Sequence, residues 1–148
     1  TAFSQTYNDF GLAQSKLWPE GTVCITIAAN IAETAILGFP ACFPDSIIGM
    51  VCDPEKVRAE YIELMLRYFA ADLKEQGKGS AQDNINLATF EQSFFPIPGI
   101  AEQARIVEQL SEIAQERRNL EAHFIEVLNS LDTLRQSLLQ KTFSGELT

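Results

Sequence analysis

The last third of the chain carries apolar residues at alternating steps of four and three: Ile106, Leu110, Ile113, Leu120, Phe124, Val127, Leu131, Leu134 and Leu138. Arg117 interrupts the series, and Lys141 ends it. An apolar seven-residue repeat held this long predicts one long helix whose apolar edge faces another helix. Some forty residues at about 1.5 Å rise give a rod of roughly 60 Å. The residues upstream of it have too little core to cover such a rod, so a second long helix is expected. Ile106, Ile113, Leu120, Val127 and Leu134 share one core position; Leu110, Arg117, Phe124, Leu131 and Leu138 share the other. Val107, Ala114 and Leu128 widen the stripe beyond a bare two-stranded seam. Arg117 is a polar break of the kind that fixes register or orientation.

Upstream, the pattern changes. Val23, Ile25 and Ile27 alternate with Cys24, Thr26 and Ala28, which predicts a strand with one strongly apolar face. Asn30 to Thr34 reads as a polar loop, Ala35–Leu37 as a short partner strand, and Ser46–Cys52 as a third strand ended by Asp53-Pro54. Helical spacing returns over Val57–Gln76, with Tyr61, Leu64, Met65, Tyr68, Phe69 and Leu73 on one face. Gly77 and Gly79 stop it. Phe94–Pro98 must be extended, because Pro96 and Pro98 fit no helix interior. The long helix opens after Pro98-Gly99, with Glu102 in its first turn, and runs to about Thr142; Gly145 ends it.

These readings give an α+β chain: a small globular domain with a twisted β-sheet and helices over residues 1–98, then one long coiled-coil-forming α-helix with a short tail over 99–148. The first residue is Thr1, and the chain reads as a fragment of a longer protein. No run of 18 apolar residues marks a membrane span, and no basic start with an apolar core marks a signal peptide. Cys24, Cys42 and Cys52 have no metal-ligand spacing and read as thiols of a cytoplasmic protein.

Chemistry is sparse. One histidine, His123, lies beside the helical seam and reads as a packing or surface residue. No phosphate-cradling glycine motif, dinucleotide fingerprint or metal-ligand pattern is present, so no catalytic or metal residue is assigned. The net charge of −9 opposes broad electrostatic capture of nucleic acid. Residues 1–99 hold six basic side chains against twelve acidic ones. Yet Lys74, Lys78, Ser80, Gln82, Asn84 and Asn86 combine positive charge with amides and a hydroxyl. Amides pair with adenine, and lysine meets phosphate or guanine. A solvated connector is the alternative reading of that loop.

Four motifs carry a resemblance to a known family. Ile97-Pro98-Gly99-Ile100-Ala101-Glu102-Gln103-Ala104-Arg105-Ile106-Val107 resembles the junction that opens the long helix in specificity subunits of type I restriction-modification systems. The stretch from Leu134 to Leu147, with Gln140-Lys141-Thr142-Phe143-Ser144-Gly145, resembles that family's terminal helix signature. Gly21-Thr22-Val23-Cys24-Ile25-Thr26-Ile27 resembles the strand-loop element of its target-recognition domains, and Gly79–Ile85 resembles the polar loop before the junction. Gly99 stands where a second proline is frequent, and Ala29-Asn30 where a glycine is common.

The resemblance implies a partial target-recognition domain that reads one half of a bipartite double-stranded DNA target. The helix would act as spacer, packed antiparallel on a second long helix from the same full-length subunit or from a homodimer mate. Modification subunits using S-adenosylmethionine and a restriction subunit using ATP and Mg would dock on it, with no cofactor in this chain. It would itself be non-catalytic. Base contacts are expected from the 78–86 loop and around Asn30 and Thr34. Two other readings stay open: a coiled-coil scaffold that binds only protein, and an enzyme with its catalytic segment upstream of Thr1.

Overall fold

The computed structural model describes residues 6, 8–28, 30–77, 90 and 93–145, with backbone only for residues 76 and 77. It divides into two units, residues 1–107 and 108–148.

In the first unit, α1 (Asp9–Ala13) is a short helix capped by Asn8, whose side-chain oxygen accepts from the Gly11 N–H at 2.8 Å. Strands β1 (Val23–Thr26), β2 (Thr34–Ile36) and β3 (Ile47–Met50) follow. They form an antiparallel sheet in the order β2-β1-β3. Val23 pairs with Ile36 on one side and Met50 on the other. Because β1 is central, Val23, Cys24 and Ile25 are all buried, and only Thr26 at its end is partly exposed. The observed strands are shorter than the apolar runs that contain them; Leu37 and Cys52 lie outside the ladder.

The helical stretch from residue 57 divides into α2 (Ala59–Tyr68) and α3 (Ala70–Gly77). The break at Phe69 (φ −83°, ψ 3°) costs no hydrogen bond: its N–H still reaches Met65 O, and its carbonyl accepts from Leu73. Its ring meets Phe95 edge-on, with centroids 5.5 Å apart. The buried face is rotated from the one that spacing alone assigns. Tyr61, Ile62, Glu63, Met65 and Leu66 are buried, whereas Tyr68 is 82% exposed. The core joins Val23 and Ile25 of the sheet to Ile62, Met65, Leu66 and Leu73 of the helices.

Gly49 in β3 lies beneath a stacked pair, Trp18 over Phe43, with centroids 5.1 Å apart. A Cβ there would come 2.7 Å from Phe43 Cζ and 3.0 Å from the Trp18 ring, so only glycine fits. Trp18 itself is tied by a bridge to Ala41.

The final helix, α4, runs Ile100–Ser144 and continues into the second unit. Pro98-Gly99 opens it, with the Gly99 carbonyl accepting from the N–H groups of Glu102 and Gln103. Gly145 closes it in the left-handed region (φ 77°), where a side chain would be strained. Its start is fastened inside the first unit. The Gln103 side chain is fully buried; its Oε1 accepts from Arg58 N–H at 2.9 Å, and its Nε2 donates to Lys56 O at 3.0 Å and Pro98 O at 2.8 Å. Tyr61 Oη donates to Pro96 O at 2.8 Å, and Ile106 and Val107 pack against the core. Among the described residues no helix is long and apolar enough to cross a membrane.

Candidate functional site

Two surfaces hold the described candidate residues, one in each unit. The first is polar and lies where the β1–β2 turn meets α2 and α3. Thr26 organises the turn. Its hydroxyl donates to Asn30 O and accepts from Glu33 N–H at 3.0 Å, while its main-chain N–H donates to Glu33 O at 2.9 Å. Ala32 reverses the chain at φ 62° and donates to Thr26 O at 2.8 Å. A non-glycine residue in that region carries a cost of about 1 kcal/mol, which the surrounding bonds offset. The turn holds Asn30 in solvent and delivers Thr34 to the start of β2.

Thr34 then meets α2. Its hydroxyl donates to Glu63 Oε1 at 2.8 Å, and Arg67 Nη2 donates to the same oxygen one helical turn on. The Glu63 side chain is only 10% exposed, while that of Arg67 is 65% exposed. A buried carboxylate is costly unless charged and neutral donors satisfy it, and here both do. Beside this group, Lys74 Nζ on α3 lies 3.9 Å from Glu33 Oε1, a loose exposed pair worth little in itself.

The structure therefore links Thr34 to Glu63 and Lys74 to Glu33, leaves Asn30 exposed in the β1–β2 turn, and adds Glu63 and Arg67, which spacing and composition do not single out. The available signal was Glu63 itself: a carboxylate among the buried positions Ile62, Met65 and Leu66, with an arginine four residues later. Lys78, Ser80, Gln82 and Asn84 lie outside the described residues. A second basic side chain, Lys16, rests over the Trp18 ring at 3.6 Å from its centroid.

The second surface is the apolar stripe of α4. Leu110, Ile113, Leu120, Phe124, Val127, Leu131, Leu134 and Leu138 are 39–61% exposed. Exposures of that size are what a single uncovered helix gives large side chains. Ile106, the first residue of the series, packs instead on the core of the first unit. Arg117, the polar break, forms an ion pair with Glu121 on its own helix at 2.9 Å. In the first turn, Arg105 grips Glu102 and holds its carboxyl below the usual carboxylate range. Burial pushes the Cys24 and Cys52 thiols up, Cys52 with added repulsion from Glu60. Among the described residues no three His, Cys, Asp or Glu side chains converge as metal ligands.

A small antiparallel sheet backed by helices, followed by a long helix with an exposed apolar edge, is an α+β architecture. The chain belongs to the type I restriction modification DNA specificity domain family, whose model matches residues 2–130. It is similar to the type I restriction enzyme EcoBI specificity subunit of Escherichia coli, with 33% identity over 76 residues, 51% of this chain and 16% of that protein. It is also similar to the StySPI specificity subunit of Salmonella potsdam, with 26% identity over 111 residues, 72% of this chain and 24% of that protein. In fold it matches the HsdS subunit from Thermoanaerobacter tengcongensis, with a TM-score of 0.67 and 24% identity over 88% of this chain. A chain from a structure of type I R-M system complex assembly and conformational transition matches equally, with a TM-score of 0.67 and 23% identity over 86% of this chain. The chain spans 31% and 32% of those two solved chains.

Proposed function

We propose that this chain is the DNA-reading and assembly portion of a type I restriction-modification specificity subunit. The first unit reads one half of a bipartite duplex target through the polar face around Asn30, Thr34 and Lys74, together with the 78–86 loop. The second unit is a spacer: its apolar stripe packs against a second long helix, from the same full-length subunit or from a homodimer mate. Two recognition units held at a fixed separation turn half-site spacing into a geometric readout. The observation that carries this reading is the uncovered apolar edge of α4 in a chain of the specificity-domain family.

The chain itself does no chemistry in this account. Methyl transfer with S-adenosylmethionine belongs to docked modification subunits, and ATP- and Mg-dependent cleavage to a restriction subunit, all in the cytoplasm where the DNA lies. Those partners also answer the charge objection. A net charge of −9 leaves the phosphate backbone to be held largely by other subunits, while this chain supplies base discrimination.

The test assembles the full-length subunit with its modification subunits and offers randomised bipartite duplexes with varied gaps. Two fixed half-sites at one fixed gap are expected. Equal binding to all duplexes refutes the reading and leaves the protein-only scaffold.

A further inference from the structure

We infer that Arg67 is a base-reading side chain, braced from behind by Glu63 and Thr34, that recognises a guanine edge. This rests on the DNA-specificity reading above and names a residue within it.

Most described cations of the first unit pair with exposed acids. Lys56 pairs with Asp53, Arg58 with Glu60, and Lys74 with Glu33, and in each pair both side chains are at least 42% exposed. Such pairs exchange freely with solvent and hold no fixed geometry. Lys16 lies over Trp18. Arg67 differs because its acid is buried. Glu63 is enclosed between α2 and β2, and the Thr34 hydroxyl fixes its Oε1 from the strand side. The carboxylate is held from the strand side, and it tethers the guanidinium at one nitrogen, Nη2. Most of the Arg67 side chain still faces solvent. A planar fork held in one place loses little rotamer freedom on making a contact.

The pairing also decides which part of DNA the fork suits. Arg67 and Glu63 together are neutral, so the pair has little to offer a phosphate, whose capture depends on net positive charge and counterion release. A guanine O6/N7 edge asks instead for two donors in a set plane. Next to Thr34 along the chain, Glu33 pairs loosely with Lys74, which adds a second exposed cation to the α2–α3 segment.

The test uses the full-length subunit assembled with modification subunits and a randomised bipartite duplex library, read at several salt concentrations. Arg67→Ala should relax preference at one base position by about tenfold, with the salt slope unchanged. Arg67→Lys should relax it as fully, since lysine keeps the charge but lacks the fork. Glu63→Gln should relax the same position by removing the brace. A uniform loss on all duplexes, with the salt slope lower by about one and binding restored by Arg67→Lys, would mark a phosphate contact and overturn the inference. An unchanged library preference would overturn it too, leaving an ordinary surface ion pair. Absence of any preference in the unsubstituted complex would instead remove the specificity reading itself.

Discussion

Replacing Gln103 with leucine keeps the bulk of the side chain and removes every polar bond it makes. Three main-chain groups then lose their partner: Arg58 N–H, Lys56 C=O and Pro98 C=O. A buried group left unsatisfied costs about 1–3 kcal/mol. Residues 56 and 58 are exposed, so water recovers part of this, and the expected loss is about 2–4 kcal/mol. That is a large share of a domain's typical total of about 5–15 kcal/mol. Urea unfolding reports it through Trp18, the only tryptophan, which lies in the same unit. Gln115→Leu is the control, because Gln115 is exposed and bonds only Asn119 and Arg118 on its own helix. It should cost less than about 0.5 kcal/mol. Gln103→Glu adds a pH arm. A carboxylate there would face two carbonyls in a buried site, so its folded-state pKa would rise above the usual value of about 4.3. A raised pKa favours the fold below the unfolded value, and that benefit is lost as pH climbs through the folded value. The variant should therefore come closest to wild-type stability in acid and fall away toward neutrality. Equal losses for Gln103→Leu and Gln115→Leu, or a pH profile for Gln103→Glu parallel to wild type, would refute the reasoning.

Other expectations follow from the same geometry. Leu131→Asp puts a charge in the middle of the α4 stripe and should dissociate the assembled subunit; an unchanged mass by light scattering counts against the seam. Gly49→Ala should cost about 1–3 kcal/mol and shift Trp18 emission, because the new Cβ collides with the Phe43 and Trp18 rings. Arg105→Ala should raise the Glu102 pKa toward the ordinary carboxylate value, as read by NMR titration. The Glu102–Arg105 contact, present at neutral pH, is lost only when pH falls through the depressed carboxyl pKa.

The parts of the fold set by local pattern were legible in the sequence. α4 announces itself through a repeat too long to arise from a buried strand, with Pro98-Gly99 and Gly145 at its ends. The three strands follow from apolar runs cut by turns, although their ends depend on pairing: Leu37 lies past the last strand pair, its main chain bonding Thr22 and Gly21. α1 was missed because five residues with no buried face rest on a cap from Asn8, a cue too short for periodicity to register. The division at Phe69 was missed because its cause, the Phe95 ring, lies 26 positions away along the chain. The buried face of α2 was misplaced for a similar reason. The sheet covers Ile62 and Leu66 and leaves Tyr68 outside, and amphipathic spacing alone does not fix which neighbour a helix meets. At the candidate interface, Thr34 and Lys74 were visible as polar residues near loops. Glu63 and Arg67 looked like ordinary helix-surface charges, because only the Thr34 contact across 29 positions reveals a carboxylate turned inward.

The three hydrogen bonds of the Gln103 amide all go to peptide atoms. Positions 56 and 58 can therefore change identity without weakening the joint, provided residue 58 is not proline and so keeps its N–H. Such a fastening is indifferent to which side chains its hydrogen-bonding neighbours carry.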